Sequence, residues 1–316
     1  MDTPNANYDQ PWKEAIENYL EYFLEFFFPP VHALIDWTRD YQSLDKELQQ
    51  ISPNATSGER EGDKLFQVWQ RNGEDAYILI HIEVQSQEDT DFGERMYIYH
   101  YRSFDLHKKV ISLAILGDDR PTWRPQNYHY ELGGCSVNFV FPIAKLLDYE
   151  SQWESLERES NPFALLVMAH LKTKATNNKA EERESWKWHL VQLLYERGYT
   201  EEDIIKFFRL LDWMMTLPQV LQDSFDTKLQ NYQEERKMPI LSNIELRAIE
   251  KGREAGILEN ARSSVLEVLT VRFDRVPSEL SDRINQITDV ATLQNLHRQA
   301  ISIESLTEFD RLLDND

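Results

Sequence analysis

The sequence has little cysteine and no long hydrophobic run, and each shortage excludes a class of protein. The single cysteine, Cys135, excludes a framework of disulfides and is typical of a reducing cytoplasm. No apolar run is long enough to cross a bilayer, and the acidic N-terminus lacks the basic region of a signal peptide. The glycines form neither a Walker A nor a Rossmann pattern, so no nucleotide cofactor is implied. The chain is therefore expected to be cytoplasmic, without membrane association.

Positive charge is also scarce, because 34 Lys and Arg residues oppose 55 Asp and Glu residues, which gives a net charge of −21. A general nucleic-acid binder is usually basic over its contact face, so this balance argues against one. A short basic track or a bound metal ion can still make one cleft positive. With 316 residues and 41% hydrophobic content, the chain is globular and long enough for one large or two to three ordinary domains.

Two strands joined by a turn are predicted between Asp63 and Gln87, and they organise the N-terminal half of the chain. The second strand, over residues 76–84, is apolar on both faces, which is typical of a strand in the middle of an α/β sheet. Glu83 is the exception, because burying an unpaired carboxylate costs several kcal/mol. We therefore expect Glu83 either to reach solvent at the end of the strand or to have a function.

The length of the turn decides whether Asp63 and Glu83 share a face of this hairpin. A two-residue turn would pair Asp63 with Ile82 and place the two carboxylates on opposite faces. A turn of odd length would pair Asp63 with His81 or Glu83 and place them on the same face. We predict the odd length, because only that register brings the two acids together.

Asp63, Glu83 and Gln85 have the composition of a site for a hard divalent cation. Mg²⁺ prefers oxygen ligands and commonly takes one or two carboxylates, while water and phosphate oxygens complete its octahedron. An ion held in this way can lower the pKa of a water molecule and neutralise charge on a phosphoryl oxygen. The expected ion is therefore Mg²⁺, or Mn²⁺ in its place.

The pattern Asp63…Glu83-Val84-Gln85 resembles the D…E-x-K core of the PD-(D/E)XK nuclease superfamily. Glu83-Val84-Gln85-Ser86, followed by the helical motif Arg95…Tyr99, is similar to its recombination-promoting nuclease and transposase-like branch. The chain departs from the superfamily pattern at two positions: Gly62 stands where a proline is usual, and Gln85 replaces the lysine. A glutamine can orient a water molecule but cannot accept a proton at pH 7, so a slower enzyme is expected.

The resemblance implies a restriction-endonuclease-like α/β core, a mixed central sheet flanked by helices, followed by an all-α C-terminal region. It also implies a Mg²⁺- or Mn²⁺-dependent DNA endonuclease of bacterial DNA recombination, with Asp63, Glu83 and Gln85 as catalytic residues. Asp63 and Glu83 would hold the metal. In this superfamily a helix before the first strand often adds an acid, for which Glu17 is the candidate; a solvated acidic face is the alternative.

A helix is predicted over residues 92–107, and basic residues repeat every seven positions along and after it, at Arg95, Arg102 and Lys109. This stripe is either a phosphate-binding track beside the metal or the ordinary charged face of a surface helix. The next predicted strand, over residues 110–116, is buried and requires a right-handed parallel crossover from the strand that ends near Glu83.

The chain is expected to contain three regions. Residues 1–148 form the nuclease-like domain, which begins with an amphipathic helix over 11–28 and ends after a hairpin at Gly133-Gly134. A first strand over 44–51 is also expected there, with Asp45 and Glu47 as surface charges. The rest of the chain reads as helices.

Residues 149–250 form a helical region, and residues 251–316 resemble a small C-terminal helical domain of unknown function attached to such nucleases in cyanobacteria and other bacteria. The repeated apolar faces of this last region predict a small bundle or contact with a second copy of the chain. We therefore expect a homo-oligomer, a dimer, that binds DNA. The competing interpretation is a catalytically weak or inactive nuclease-fold protein that binds DNA or a protein partner, which the acidic charge and the missing lysine favour.

Overall fold

The structure is a computed structural model that describes residues 9–45, 63–72, 75–83, 89–107, 109–236, 258, 260–273, 276–303 and 305–313. The chain divides into two compact units, Met1–Ile240 and Leu241–Asp316. It is a mixed α/β protein in which helices predominate. Within the described residues, no helix combines the length and the apolar character that crossing a membrane demands.

The first unit is built on a mixed sheet with the strand order β1-β2-β3-β4-β7, beside a separate two-stranded hairpin. The strands are β1 (Gln42–Ser43), β2 (Asp63–Trp69), β3 (Asp75–Glu83), β4 (Val110–Leu116), β5 (Asn127–Leu132), β6 (Cys135–Val140) and β7 (Ile143–Lys145). The ladders β1–β2 and β2–β3 are antiparallel, whereas β3–β4 and β4–β7 are parallel. The predicted parallel crossover between β3 and β4 is therefore confirmed.

The helices of the first unit lie on both sides of the sheet and fill the part of the unit after residue 148. They are α1 (Asp9–Asn18), α2 (Leu20–Phe27), α3 (Pro29–His32), α4 (Phe92–His107), α5 (Trp153–Arg158), α6 (Phe163–Ala175), α7 (Ala180–Glu196), α8 (Glu201–Met214) and α9 (Gln219–Arg236), with a 3₁₀ helix at Leu146–Gln152. The helix predicted over 92–107 and the strand over 110–116 are confirmed at both ends. The helical character predicted from residue 149 onwards is confirmed in this unit as far as residue 236.

Helix α4 covers one face of the sheet. The fully buried Leu65 of β2 clusters with Tyr99 of α4, and Ala114 and Leu116 of β4 cluster with Phe92 at the start of that helix. Side chains alternate between the two faces of a strand. Residues an even number of positions from Leu65 in β2, or from Ala114 and Leu116 in β4, therefore belong to the face that α4 covers. We call this the α4 face.

The single helix predicted over residues 11–28 is two helices that break at Tyr19. Tyr19 has φ −138° and ψ 43°, which is not helical, and it caps α2. Its hydroxyl donates to Asp203 Oδ1 at 2.9 Å, and its ring stacks on Phe207 with centroids 4.5 Å apart. Contacts with α8 therefore set the break. Pro29 begins α3, the first position at which a helix accepts proline.

The helices after residue 148 belong to the same compact unit as the sheet. Phe163 of α6 is fully buried, and its ring lies 6.1 Å from that of Trp12, 5.4 Å from that of Phe23 and 6.0 Å from that of Phe27. These aromatic contacts tie α6 to α1 and α2. The helical region that we delimited at residue 149 thus completes the N-terminal core.

The second unit is a small helical bundle, as predicted. Its helices are α10 (residues 260–273), α11 (Ser278–Gln286), α12 (Val290–Ser302) and α13 (Leu306–Leu312). Its buried residues form one cluster, made of Val265, Leu269, Leu280, Ile284, Leu293, Leu296, Ala300, Ile303 and Phe309. Asp289 and Ser305 cap α12 and α13 by accepting from backbone N–H groups. The unit therefore has its own core.

Candidate functional site

The ladder between β2 and β3 fixes the positions of the predicted metal ligands. Asp63 pairs with His81, and at the other end Trp69 pairs with Asp75, so residues 70–74 connect the two strands. The predicted connection of odd length is confirmed. Because residues two apart in a strand belong to the same face, positions 63, 81 and 83 share one face of the sheet.

That shared face is the α4 face. Leu65, two residues after Asp63, belongs to it, and Glu83 is the register partner of Leu116 in the parallel ladder with β4. Positions 63 and 83 therefore lie at the edge of the sheet where β3 and β4 both end and β2 begins. Functional groups commonly gather at the carboxyl ends of parallel strands.

The structure places Glu17 on the other side of β2. The Oε2 atom of Glu17 accepts from Nζ of Lys64 at 3.0 Å, and the same ammonium donates to Oδ2 of Asp45 at 2.6 Å. Position 64 is the neighbour of position 63 in the strand and belongs to the opposite face. Glu17, predicted as a third metal ligand, is therefore held in an ion pair and is not brought together with positions 63 and 83.

Lys64 ties α1 and the segment after β1 to the sheet. Burial lowers its pKa, but its hydrogen bonds to Asp45 and Glu17 raise the pKa of Lys64 by more, so it is a cation at pH 7. Asp45 also accepts from the backbone N–H of Leu65 at 3.2 Å. Asp45 is half-buried, not the surface charge that we predicted, because it pairs with a buried lysine.

Most of the strand predicted over residues 44–51 lies outside the described residues, which end here at Asp45. Leu44 and Asp45 are not in a strand, and the described strand next to them is β1, at Gln42–Ser43. Leu44 donates its backbone N–H to the carbonyl of Leu65 at 2.7 Å, which is the last bond of this short ladder. Glu47 lies outside the described residues, and so does Gln85, the third predicted catalytic residue.

The basic stripe predicted after β3 is shorter than its sequence spacing indicates. Arg95 forms an ion pair with Asp89 at the start of α4, and Arg102 follows two turns later on the same side of the helix. Lys109 is exposed but does not belong to the stripe, because α4 ends at His107. Two of the three predicted nucleic-acid-binding residues thus share a helix face.

A buried ion pair that the sequence reasoning missed joins the ends of β4 and β7. Lys145 Nζ donates to Asp118 Oδ2 at 2.5 Å, and the two side chains are 0% and 1% exposed. Lys145 also donates to the carbonyl of Trp123 at 3.2 Å, and Asp118 accepts from the backbone N–H of Arg120 at 2.9 Å. One sequence signal of this pair is a lysine that follows a short apolar stretch. Asp118 gave no signal, because Asp118 and Asp119 directly after β4 are also typical of a turn.

Helix α6 is anchored at the same edge of the sheet through the carbonyl of Gly117. This oxygen accepts from His170 Nε2 at 2.9 Å and from Lys174 Nζ at 2.8 Å. Burial lowers the pKa of His170 to about 4, so its imidazole is neutral at pH 7 and carries its proton on Nε2. Two sets of polar contacts therefore hold the end of β4: the ion pair of Asp118 with Lys145, and the hydrogen bonds from His170 and Lys174 to the Gly117 carbonyl.

Among the side chains that the structure describes, no three of the His, Cys, Asp or Glu type gather as metal ligands. Comparison with known proteins gives no match: no family model, no curated protein and no solved structure matches this chain. The feature of the described residues that indicates a function is therefore the register that unites positions 63, 81 and 83 at one edge of the sheet.

Proposed function

We propose that this protein is a metal-dependent DNA endonuclease of the recombination-promoting nuclease type, with a restriction-endonuclease-like core. The observation that carries the proposal is the pairing of Asp63 with His81, which puts Asp63 and Glu83 on one face at the end of the central strand β3. An antiparallel pair followed by a parallel β3–α4–β4 crossover is compatible with such a core. A cytoplasmic location, suggested by the single cysteine, belongs to the same proposal.

Asp63 and Glu83 provide oxygen ligands of the kind that Mg²⁺ and Mn²⁺ prefer, so the donor set fits such an ion. When bound, the ion would lower the pKa of a water molecule and neutralise charge on a phosphoryl oxygen. The amide of Gln85 would orient a water molecule, but it cannot accept a proton at pH 7. The proton must therefore leave to solvent or to the phosphate of the substrate, which agrees with a slow enzyme.

A second candidate function is a nuclease-fold protein that binds DNA or a protein partner without cleaving it. The ion pair between Arg95 and Asp89 favours this candidate, because it neutralises one of the two cations on the predicted phosphate track. The net charge of −21 favours it as well. The two candidates differ in one measurable property, which is metal-dependent cleavage.

Nicking of supercoiled plasmid DNA tests the proposal. We expect nicking by the native protein with Mg²⁺ or Mn²⁺, none with EDTA, and a loss of at least about 100-fold in Asp63→Asn and Glu83→Gln. Glu17→Gln is the matched control, since it makes the same change of charge on the opposite face of β2. Equal nicking by native protein and Glu83→Gln would contradict the assignment. No nicking with either metal would favour the non-catalytic candidate.

A further inference from the structure

A lysine of the helical region reaches the edge of the sheet at which β3 and β4 both end. Lys174, in the last turn of α6, donates from Nζ to the carbonyl of Gly117 at 2.8 Å. Gly117 directly follows Leu116, the register partner of Glu83 in the ladder between β3 and β4. The carbonyl that holds the ammonium of Lys174 therefore lies one residue beyond the row of the sheet that contains position 83.

The direction of the Gly117 carbonyl places this ammonium on the β3 side of β4. Successive residues of a strand direct their backbone N–H and C=O groups towards opposite neighbours. Ala114 donates its N–H to the carbonyl of Pro142, directly before β7, so the backbone groups of Ala114 are directed towards β7. Gly117 is an odd number of positions away, and its groups are directed towards β3. Because neighbouring strands lie about 4.8 Å apart, the ammonium is within about 10 Å of the backbone at position 83.

Helix α6 approaches this edge from the side of the sheet opposite α4. The ring of His170, one turn before Lys174, lies 6.3 Å from the ring of Trp12 in α1. Helix α1 meets the sheet on the face opposite position 63, through the ion pair of Glu17 with Lys64. A ligand at this end of the sheet can therefore meet positions 63 and 83 from one face and Lys174 from the other.

Lys174 carries a positive charge that no described carboxylate pairs with. It is half-buried, and its ammonium uses one of its three N–H groups on Gly117. Asp118 is bound to Lys145, and Asp119 is exposed and forms no ion pair with Lys174. Burial lowers the pKa of Lys174, the acids Asp119 and Asp118 raise it, and the neighbouring Lys145 lowers it again. A cation that is partly removed from water and has no counter-ion favours an anionic ligand.

The helix dipole alone does not account for the direction of this side chain. Cations are common in the last turn of a helix, where they offset its negative end. Lys172 stands in the same turn, and its ammonium lies over the rings of Trp153 and Trp186, 4.1 and 3.8 Å from their centroids. The two lysines share the dipole but are directed to different places. The contact with Gly117 is what brings Lys174 to the end of the sheet.

We infer that Lys174 binds the phosphate group that is cleaved at the candidate site, so that a helix from outside the sheet completes this site. The inference rests on the proposed function. A cation beside a phosphoryl group stabilises the negative charge on its oxygens during transfer. Positions 63 and 83 are acids and the amide of Gln85 is uncharged, so none of these three supplies a cation. The ammonium of Lys174 would supply it from the end of β4.

The first test measures how DNA binding by the full-length protein depends on salt. The probe is a labelled duplex of about 20 base pairs, followed by fluorescence anisotropy with Ca²⁺ at low temperature, and a gel verifies that it stays intact. We expect Lys174→Gln to lower the slope of log K against log salt by about 0.9, which weakens binding about eightfold at about 0.1 M salt. Lys174→Arg keeps the charge and should stay within about twofold of the native affinity. Lys172→Gln, the matched change of charge in the same turn, should keep the native slope.

The second test separates a phosphate-binding lysine from a lysine that only orients Glu83. In the first case Lys174→Gln should reduce plasmid nicking at least about tenfold and keep its Mn²⁺ affinity, measured by calorimetry, within about threefold of the native value. In the second case Mn²⁺ binding would change and the salt slope would not.

A measurement on the native protein avoids any effect of a substitution on folding. Acetylation of lysines by a succinimidyl ester, followed by mass spectrometry, should be slowed at Lys174 by about fivefold or more when the duplex is saturating. Lys179, whose side chain is 61% exposed, should react within about twofold of its rate without DNA.

The outcomes separate this inference from the proposed nuclease activity. A native salt slope in Lys174→Gln, an equal fall of the slope in Lys172→Gln, no binding of the duplex, or unprotected Lys174 would each overturn the role of Lys174. Loss of Mn²⁺ binding with a native slope would assign Lys174 to the orientation of Glu83 and would overturn it too. A lowered slope and protection of Lys174 without plasmid nicking keep Lys174 as a phosphate-binding residue and reject the nuclease. Nicking that Lys174→Gln performs like the native protein does the reverse.

Discussion

Asp63 lies opposite His81 in the antiparallel ladder of β2 and β3, and Glu83 follows two positions later on the same face. This geometry predicts that Asp63 and Glu83 bind one divalent cation together. We expect Asp63→Asn and Glu83→Gln each to weaken Mn²⁺ binding by at least about tenfold in isothermal titration calorimetry, because each removes one carboxylate ligand. Glu17→Gln should bind Mn²⁺ like the native protein. A loss of affinity in Glu17→Gln as large as in Glu83→Gln would contradict the placement on opposite faces.

The buried pair of Lys145 and Asp118 predicts a large effect on stability. Lys145→Met leaves the Asp118 carboxylate buried without its cation, so we expect the free energy of unfolding to fall by about 3–5 kcal/mol in urea denaturation. Adding Asp118→Leu to Lys145→Met should recover part of this loss, because the double variant buries no charge.

The matched control is the exposed ion pair of Arg158 and Glu154, whose side chains are 83% and 90% exposed. Arg158→Met should change the free energy of unfolding by less than about 1 kcal/mol. If Lys145→Met were as mild as Arg158→Met, the pair that closes the end of β4 onto β7 would have no structural importance.

His170 predicts how stability depends on pH. Burial lowers its pKa to about 4 from an ordinary value of 6.5, so the unfolded chain binds this proton more tightly than the folded chain. The stabilising effect of a neutral His170 is complete above pH 6.5 and is lost as the pH falls towards 4. At pH 5 the loss is about 2 kcal/mol.

His170→Gln provides the comparison, because glutamine can donate to the Gly117 carbonyl but does not titrate. Between about pH 7.5 and pH 5, the native protein should lose about 2 kcal/mol more stability than His170→Gln in urea denaturation. The other titrating groups are common to both proteins and cancel in this difference. Parallel pH profiles would mean that His170 is not buried in its neutral form.

The elements around the candidate site were predictable because their signals are local. The apolar run of β4 ends at Gly117, and the helical pattern of α4 lies between polar turns, so both were located at the correct residues. The odd connection between β2 and β3 was predicted from function, since only that register unites Asp63 and Glu83. At this site, the local sequence patterns located α4 and β4, and the register that the proposed function requires is the register found between β2 and β3.

The features that were missed depend on contacts between residues far apart in the sequence. The break at Tyr19 is stabilised by Asp203, and the burial of Lys145 is stabilised by Asp118. Helical periodicity correctly placed Glu17 among the acids of α1, but it could not tell which face of the sheet this helix covers. Only the ion pair with Lys64 assigns Glu17 to the face opposite position 63.

The last prediction concerns assembly through the second unit. Val271 of α10 is 78% exposed, and Ile301 of α12 is exposed as well. Val271 also lines a groove of about 310 Å³, together with Ser264, Glu267, Val268, Arg272 and His297. Exposed apolar side chains beside a groove are typical of a protein interface. If the proposed nuclease function holds, a twofold pair of chains would also bring two candidate metal sites to the two strands of a DNA molecule. We therefore expect the full-length chain to be a dimer.

Light scattering of the full-length chain, of a chain that ends at Ile240 and of Val271→Ser tests this expectation. The first unit has its own core, so the shortened chain should stay folded and keep its metal-dependent nicking while its mass falls to that of a monomer. Val271→Ser should shift the full-length chain in the same direction, because a polar side chain replaces apolar surface at the interface. Val220→Ser, at an exposed valine of α9 in the first unit, should leave the dimer intact. A monomeric mass for the full-length chain would rule out the dimer, and a dimer that survives removal of residues 241–316 would place the interface in the first unit.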